Sequence, residues 1–230
     1  MISRALRLAA APTIAGVSVL VATQDAPKAK SAPIPHILQQ SFDPPKDAYF
    51  VAGTLLVEHH MPPINLVQQH LLGIVPPAGE QRTIVRHSVD TGSGKVTWFR
   101  VFGDGQSTFS TVWTMDGPAA PASERFAGAV DIAQRLECST AAPGGGLRAT
   151  LRHVSTSLLG VVPLPVMLLT THCVMDVQED GKGYDLSVNV TMAGWPMVSY
   201  TGQLRECEGT PSEFLSMREA KVMGLALGKG

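Results

Sequence analysis

Apolar and polar residues alternate with a period of two through most of the chain between Tyr49 and Leu204. On a pleated strand this spacing sends successive side chains to opposite faces, one apolar and one wet. The pattern is clearest at 184–191, where Tyr184, Leu186, Val188 and Val190 alternate with Asp185, Ser187, Asn189 and Thr191. Residues 198–204 repeat it, with Val198, Tyr200 and Leu204 set against Ser199, Thr201 and Gln203. Ala193-Gly194-Trp195-Pro196 between them is a turn signal, so the two read as an antiparallel hairpin. Leu147, Ala149 and Leu151 alternate with Arg148, Thr150 and Arg152 after a turn at Pro143-Gly144-Gly145-Gly146. Residues 51–57, 83–89, 96–102, 108–115, 130–138 and 172–178 add further strand-like runs, most of them rich in Val, Thr and aromatics.

Two segments break the alternation. Leu66, Leu71, Leu72 and Ile74 predict a short helix over 66–74, stopped by Pro76-Pro77. Residues 157–170 are apolar but carry Pro163 and Pro165, which predicts an irregular crossing. After Leu204 the period lengthens. Thr210-Pro211-Ser212-Glu213 is a capping box with proline at the first helical position. Phe214, Met217, Val222 and Leu225 then predict an amphipathic C-terminal helix ending at Gly228, able to cover an opening or an edge.

The fold class that follows is mainly β: a single antiparallel curled sheet or barrel-like domain of about eight to ten strands, with a short internal helix and a C-terminal helix. No strand–helix alternation of the βαβ kind is present, which disfavours a doubly wound nucleotide fold.

Outside the predicted domain (49–205) and its C-terminal helix and tail (206–230), two segments read differently. Residues 1–24 contain no acid, and Arg4 and Arg7 precede an Ala/Leu/Val-rich run broken by Pro12 and Gly16. This is expected to be a targeting segment, mitochondrial in the preferred reading and secretory in the alternative. The glycosylation pattern Asn189-Val190-Thr191 weighs toward the alternative. Peripheral membrane association stays open, since the run is too short and too interrupted to span a bilayer. Residues 25–48 carry Pro27, Pro33, Pro35, Pro44 and Pro45 and read as a proline-rich linker, so residues before about Phe42 are expected to be dispensable for folding.

Several segments in this order resemble the domain family of unknown function DUF 4166. They are Gly53-x-Leu55-x-Val57, Leu72-Gly73-Ile74-Val75-Pro76-Pro77-Ala78-Gly79, Trp98-x-Arg100-x-Phe102-Gly103 with Phe109-Ser110, Leu158-Leu159-Gly160-Val161-Val162-Pro163-Leu164-Pro165, Tyr184-x-Leu186-x-Val188 and Val198-x-Tyr200-x-Gly202-x-Leu204. The likeness runs from about Gly53 to Leu204. The family has no settled activity, so the resemblance implies no catalytic residues; members joined to reductase-like or membrane modules imply an accessory role. This chain differs in its presequence-like N-terminus and its own C-terminal helix.

Composition narrows the chemistry. Apolar residues are 44% and aromatics 6%, which requires a real but mainly aliphatic core. A net charge of −1 leaves no electrostatic footprint for nucleic acid. Cys138, Cys173 and Cys207 are odd in number and widely spaced, so they form neither a disulfide framework nor a zinc knuckle. His36, His59, His60, His70, His87, His153 and His172 show no HExxH or HxH spacing, and no metal is expected. Gly92-Ser93-Gly94-Lys95 imitates the end of a phosphate loop, but Val89 replaces the first glycine and Val96 the magnesium-binding hydroxyl. Nothing implies a cofactor.

Trp98, Arg100 and Phe102 share one strand face, so an arginine fork lies between two aromatic rings. Together with Tyr200 they are the candidate ligand-binding residues, set to hold an acidic head group beside an apolar cavity. The leading expectation is a binding module for an apolar or lipid-like ligand. Two alternatives stay open at this point: an accessory enzyme of cyclase, isomerase or hydrolase type using the same cavity, with catalytic residues unknown, and a structural subunit with a filled core. Oligomeric state has no signal in the sequence.

Overall fold

The computed structural model describes residues 34–45, 48–67, 75–114, 122–126, 130–140, 142, 146–165 and 168–226. Within them the elements run in chain order as follows. A short helix α1 (His36–Phe42) precedes β1 (Tyr49–His59) and α2 (Pro62–Val67). Next come β2 (Gly79–Val89), β3 (Val96–Phe102), β4 (Ser107–Thr114), β5 (Ala122–Phe126) and β6 (Val130–Ser139). β7 (Arg148–Leu158), β8 (Val162–Leu164), β9 (Thr170–Val177), β10 (Gly183–Met192) and β11 (Trp195–Glu206) follow, and α3 (Pro211–Phe214) and α4 (Met217–Val222) end the fold.

Hydrogen bonding runs β6-β5-β4-β3-β2-β1-β11-β10-β9-β7, and β6 pairs with β7 to close the ring. Ten antiparallel strands therefore form a closed barrel, and β8 hangs on the free end of β7. Closure removes the edges that an open sheet would leave exposed. Two register shifts, at Ala133/Gln134 and at Val190/Thr191, bend the wall. Gly53 on β1 and Gly202 on β11 lie where these two paired strands crowd each other: a Cβ on Gly53 would fall 1.8 Å from the Gln203 carbonyl oxygen, and one on Gly202 2.1 Å from that of Thr54.

The linker expectation for 25–48 is corrected for its C-terminal part. Residues 36–42 form α1, and Ile37 and Leu38 are fully buried in the main core with the inward face of the barrel. The physical reason is spacing: Ile37, Leu38, Ser41 and Phe42 make one apolar face of two helical turns, too short to register against five nearby prolines. Residues 1–33, including the expected targeting segment, lie outside the described residues.

Other elements are adjusted. The internal helix is Pro62–Val67, four residues upstream of the predicted start, and 68–74 lie outside the described residues. Residues 157–170 contain the end of β7, a turn at Leu159-Gly160 with φ of 54° and 72°, and β8. The single C-terminal helix is two, because Leu215 and Ser216 are extended. Ser216 starts a second capping box: its hydroxyl accepts from Glu219 N–H at 3.2 Å, and Glu219 Oε2 accepts from Ser216 N–H at 2.8 Å. These helices cover neither an opening nor an edge. They cover the outer wall, where Phe50, Ile84, Phe99 and Val101 point outward against Phe214, Leu215, Ala220 and Met223. Arg82 holds Glu219 and the Phe214 carbonyl, and Arg86 holds the Met223 carbonyl.

Candidate functional site

Alternation along the paired strands sends Tyr49, Val85, His87, Trp98, Arg100, Phe109, Thr111, Trp113, Glu124, Gln134, Cys173, Tyr184, Leu186, Val188 and Tyr200 to the inner face. The wall is aliphatic and aromatic, with one charged cluster on it.

That cluster is built by four neighbouring strands, β3 to β6. Arg100 on β3 donates from Nη1 to Thr111 Oγ1 at 3.0 Å and from Nη2 to Glu124 Oε1 at 3.2 Å. Gln134 on β6 donates to the other Glu124 oxygen at 2.9 Å. The guanidinium carbon lies 5.3 Å from the Trp98 ring centre and 5.1 Å from that of Phe109, so two aromatic faces hold it. Burial raises the Glu124 carboxyl above its ordinary range, against the pull of Arg100. The side chains of Arg100 and Glu124 are 18% and 6% exposed, which leaves the arginine side in contact with solvent. Phe109, Leu186, Val188 and Tyr200 also face inward and are only half-buried. The inner wall is therefore not packed shut around Arg100.

A second constellation joins the barrel to α1. The Ser41 carbonyl accepts from Trp98 Nε1 at 2.8 Å and lies 3.2 Å from His87 Nδ1. Phe42 packs on Trp98 and Trp113, with ring centres 5.0 and 5.4 Å away. His87 is fully buried, and burial, helped by the Arg100 charge, lowers its pKa to about 3. It is therefore neutral, with the proton on Nδ1 facing Ser41, and Nε2 has no partner. A pH dependence follows. Between pH 6.5 and about 3 the unfolded chain binds a proton that folded His87 refuses. Its contribution is complete above 6.5 and declines toward pH 3, by up to about 1.4 kcal/mol per pH unit. Glu124 acts in the opposite sense, gaining as pH falls through its raised value. His87→Gln is expected to flatten the acid decline in urea midpoints; an unchanged slope would remove His87 as its source.

The residues expected at the site separate into two groups. Trp98 and Arg100 are in contact, and Tyr200 faces the same interior from β11, with its phenol held protonated by burial. Phe102 is buried in the wall packing and Trp98 spends its N–H on Ser41, so both shape the interior more than they offer a polar handle. Sequence reading missed Glu124, Gln134, Thr111 and Phe109. Thr111 and Phe109 were legible as the same face of 108–115; Glu124 lies on a five-residue strand with no readable alternation.

Burial pushes the Cys173 thiol up to about 12, so it is no thiolate nucleophile. Among the described residues no group of three His, Cys, Asp or Glu side chains is arranged to hold a metal ion. A groove along α4, lined by Met217, Arg218, Lys221 and Leu225, is open to solvent and brings no convergent polar groups together. No protein-family model, curated protein or solved structure matches the chain.

Proposed function

We propose that the barrel is a small-molecule binding module that takes an apolar, lipid-like ligand with an acidic head group into its interior. The observation that carries this reading is Arg100: a guanidinium on the inner wall, clasped by Trp98 and Phe109, still reached by solvent, and neutralised by a carboxylate that burial already pushes toward protonation. An incoming carboxylate or phosphate replaces Glu124 on Arg100, and Glu124 takes up a proton. Leu186, Val188 and Tyr200 supply an apolar wall for the tail. The resemblance to DUF 4166 fits an accessory binding role of this kind.

Native mass spectrometry and lipid extraction of the full chain test the proposal. The expected result is a co-purifying acidic lipid whose retention falls in Arg100→Met by roughly 1.5–3 kcal/mol, the loss of a charge-assisted hydrogen bond. Its affinity should rise as pH is lowered toward the Glu124 value, because binding takes up a proton. An empty protein that also ignores added fatty acid would favour a structural role for the barrel.

A further inference from the structure

The two ends of the barrel differ in charge. α1 belongs to the end where β1 begins, and the segments joining strands there carry Asp90 and Lys95 between β2 and β3, and Glu179, Asp180 and Lys182 between β9 and β10. At the opposite end, the described connecting residues 60–67 and 75–78 (β1 to β2), 159–165 and 168–169 (β7 to β9, including β8) and 193–194 (β10 to β11) contain no Asp, Glu, Lys or Arg. Charge near that end is carried by Asp104 between β3 and β4, Arg218 against Gly105 beside it, and the Arg125–Asp131 ion pair that flanks Gly160.

The same end presents large apolar side chains to solvent. On the β7–β8 hairpin Leu159 is 62% and Val161 76% exposed, with Leu158 and Val162 beside them. On the β10–β11 hairpin Trp195 is 70% exposed, and Leu168 is exposed nearby. Ala193 N–H donates to the Leu168 carbonyl at 3.2 Å, so the Trp195 hairpin and the β8–β9 connection are fixed to each other. Both hairpins turn on two residues with positive φ, and the first of each pair is a non-glycine, Leu159 and Ala193. A leucine held in that conformation at a tip and 62% exposed is unfavourable for a surface that meets only water.

We infer that this end docks on a lipid bilayer, with the Leu159–Val161 tip and Trp195 inserted at the interface. The absence of charge from the described residues of three connecting segments matches a partner that is apolar and needs no counter-charge. Tryptophan prefers the head-group level, where its ring is apolar and its N–H remains hydrated. Narrow tips of two and three residues suit insertion between lipids better than burial against a second copy, which needs a broad complementary face. The inference stands on these segments alone and holds whatever the interior binds; together with the proposed function it would set the end opposite α1 toward the source of ligand.

The test uses the full chain with vesicles of neutral phosphatidylcholine, with and without brominated acyl chains. Trp98 and Trp113 are buried, so Trp195 is the natural reporter. Expected are flotation with the vesicles that persists at high salt, and bromine quenching that disappears in Trp195→Phe. Val161→Asp should lower the partition coefficient at least tenfold without moving the unfolding midpoint, since the side chain is exposed. No flotation, flotation without quenching of Trp195, or full retention by Val161→Asp would each overturn the inference; the last two would assign membrane contact to residues elsewhere in the chain. Concentration-dependent dimers broken by Val161→Asp in lipid-free buffer would overturn it in favour of a second copy.

Discussion

Phe42→Ala is expected to destabilise the protein by about 3–5 kcal/mol, the range for emptying a buried aromatic site. Phe42 is 8% exposed and lies against Trp98 and Trp113, and Ile37 and Leu38 on the same helix are fully buried. Deleting residues 1–42 should cost more. It removes those side chains and the Ser41 carbonyl, and so orphans the Trp98 N–H and the buried His87 ring. Against a total stability of about 5–15 kcal/mol for a typical domain, the truncated barrel should be largely unfolded or poorly populated. Urea denaturation followed by tryptophan fluorescence checks both variants. A midpoint within error of the parent would show that α1 is not part of the core.

The second large effect concerns the buried ion pair, and it is asymmetric. Glu124→Leu leaves the Arg100 guanidinium on the inner wall without its carboxylate. Arginine cannot shed its proton, so the cost should be about 3 kcal/mol or more and nearly independent of pH. Arg100→Met strands a group that can neutralise itself. Glu124 is already raised by burial with Arg100 in place; without the arginine it rises further and takes a proton. The sign follows from linkage: a raised carboxyl is fully tolerated below the unfolded value and loses stability as pH climbs through the folded one. Arg100→Met should therefore be close to the parent in mild acid, fall behind it by up to about 1.4 kcal/mol per pH unit between the parent's Glu124 pKa and the variant's higher one, and stay level above that. Unfolding midpoints of the two variants across pH, with the double Arg100→Met/Glu124→Leu variant as reference, decide it. The double variant should recover most of the loss, since an apolar pair needs no counter-charge. Equal, pH-independent losses in both single variants would show that Glu124 remains ionised without Arg100.

Much of the barrel was legible because each wall strand has one face toward a mainly apolar interior. Tyr184, Leu186, Val188 and Val190 alternate for that reason, and so do Val96, Trp98 and Phe102. The alternation is weakest where that condition fails. β1 to β3 carry apolar residues on both faces, because α3 and α4 pack outside Phe50, Ile84 and Val101. β5 spans five residues, and β8 spans three and contains Pro163; neither is long enough to show a period.

The sequence by itself determined the antiparallel β class, most of the strand positions, the turn at Ala193-Gly194 and the helix start at Thr210, because these depend on local spacing and on backbone preferences of single residues. It also placed Arg100 on one face with Trp98 and Phe102. Only the tertiary structure decided that the sheet closes through β6 and β7, that Ser41 and Phe42 enter the core, and that Glu124 and Gln134 meet Arg100. The side-chain hydrogen bonds among them join residues 10 to 57 positions apart, and no local pattern encodes which distant strand or helix will lie opposite. The same holds for charge. The uncharged connections at one end of the barrel are scattered from residue 60 to residue 194, and their described residues meet only when ring closure brings the strand ends together.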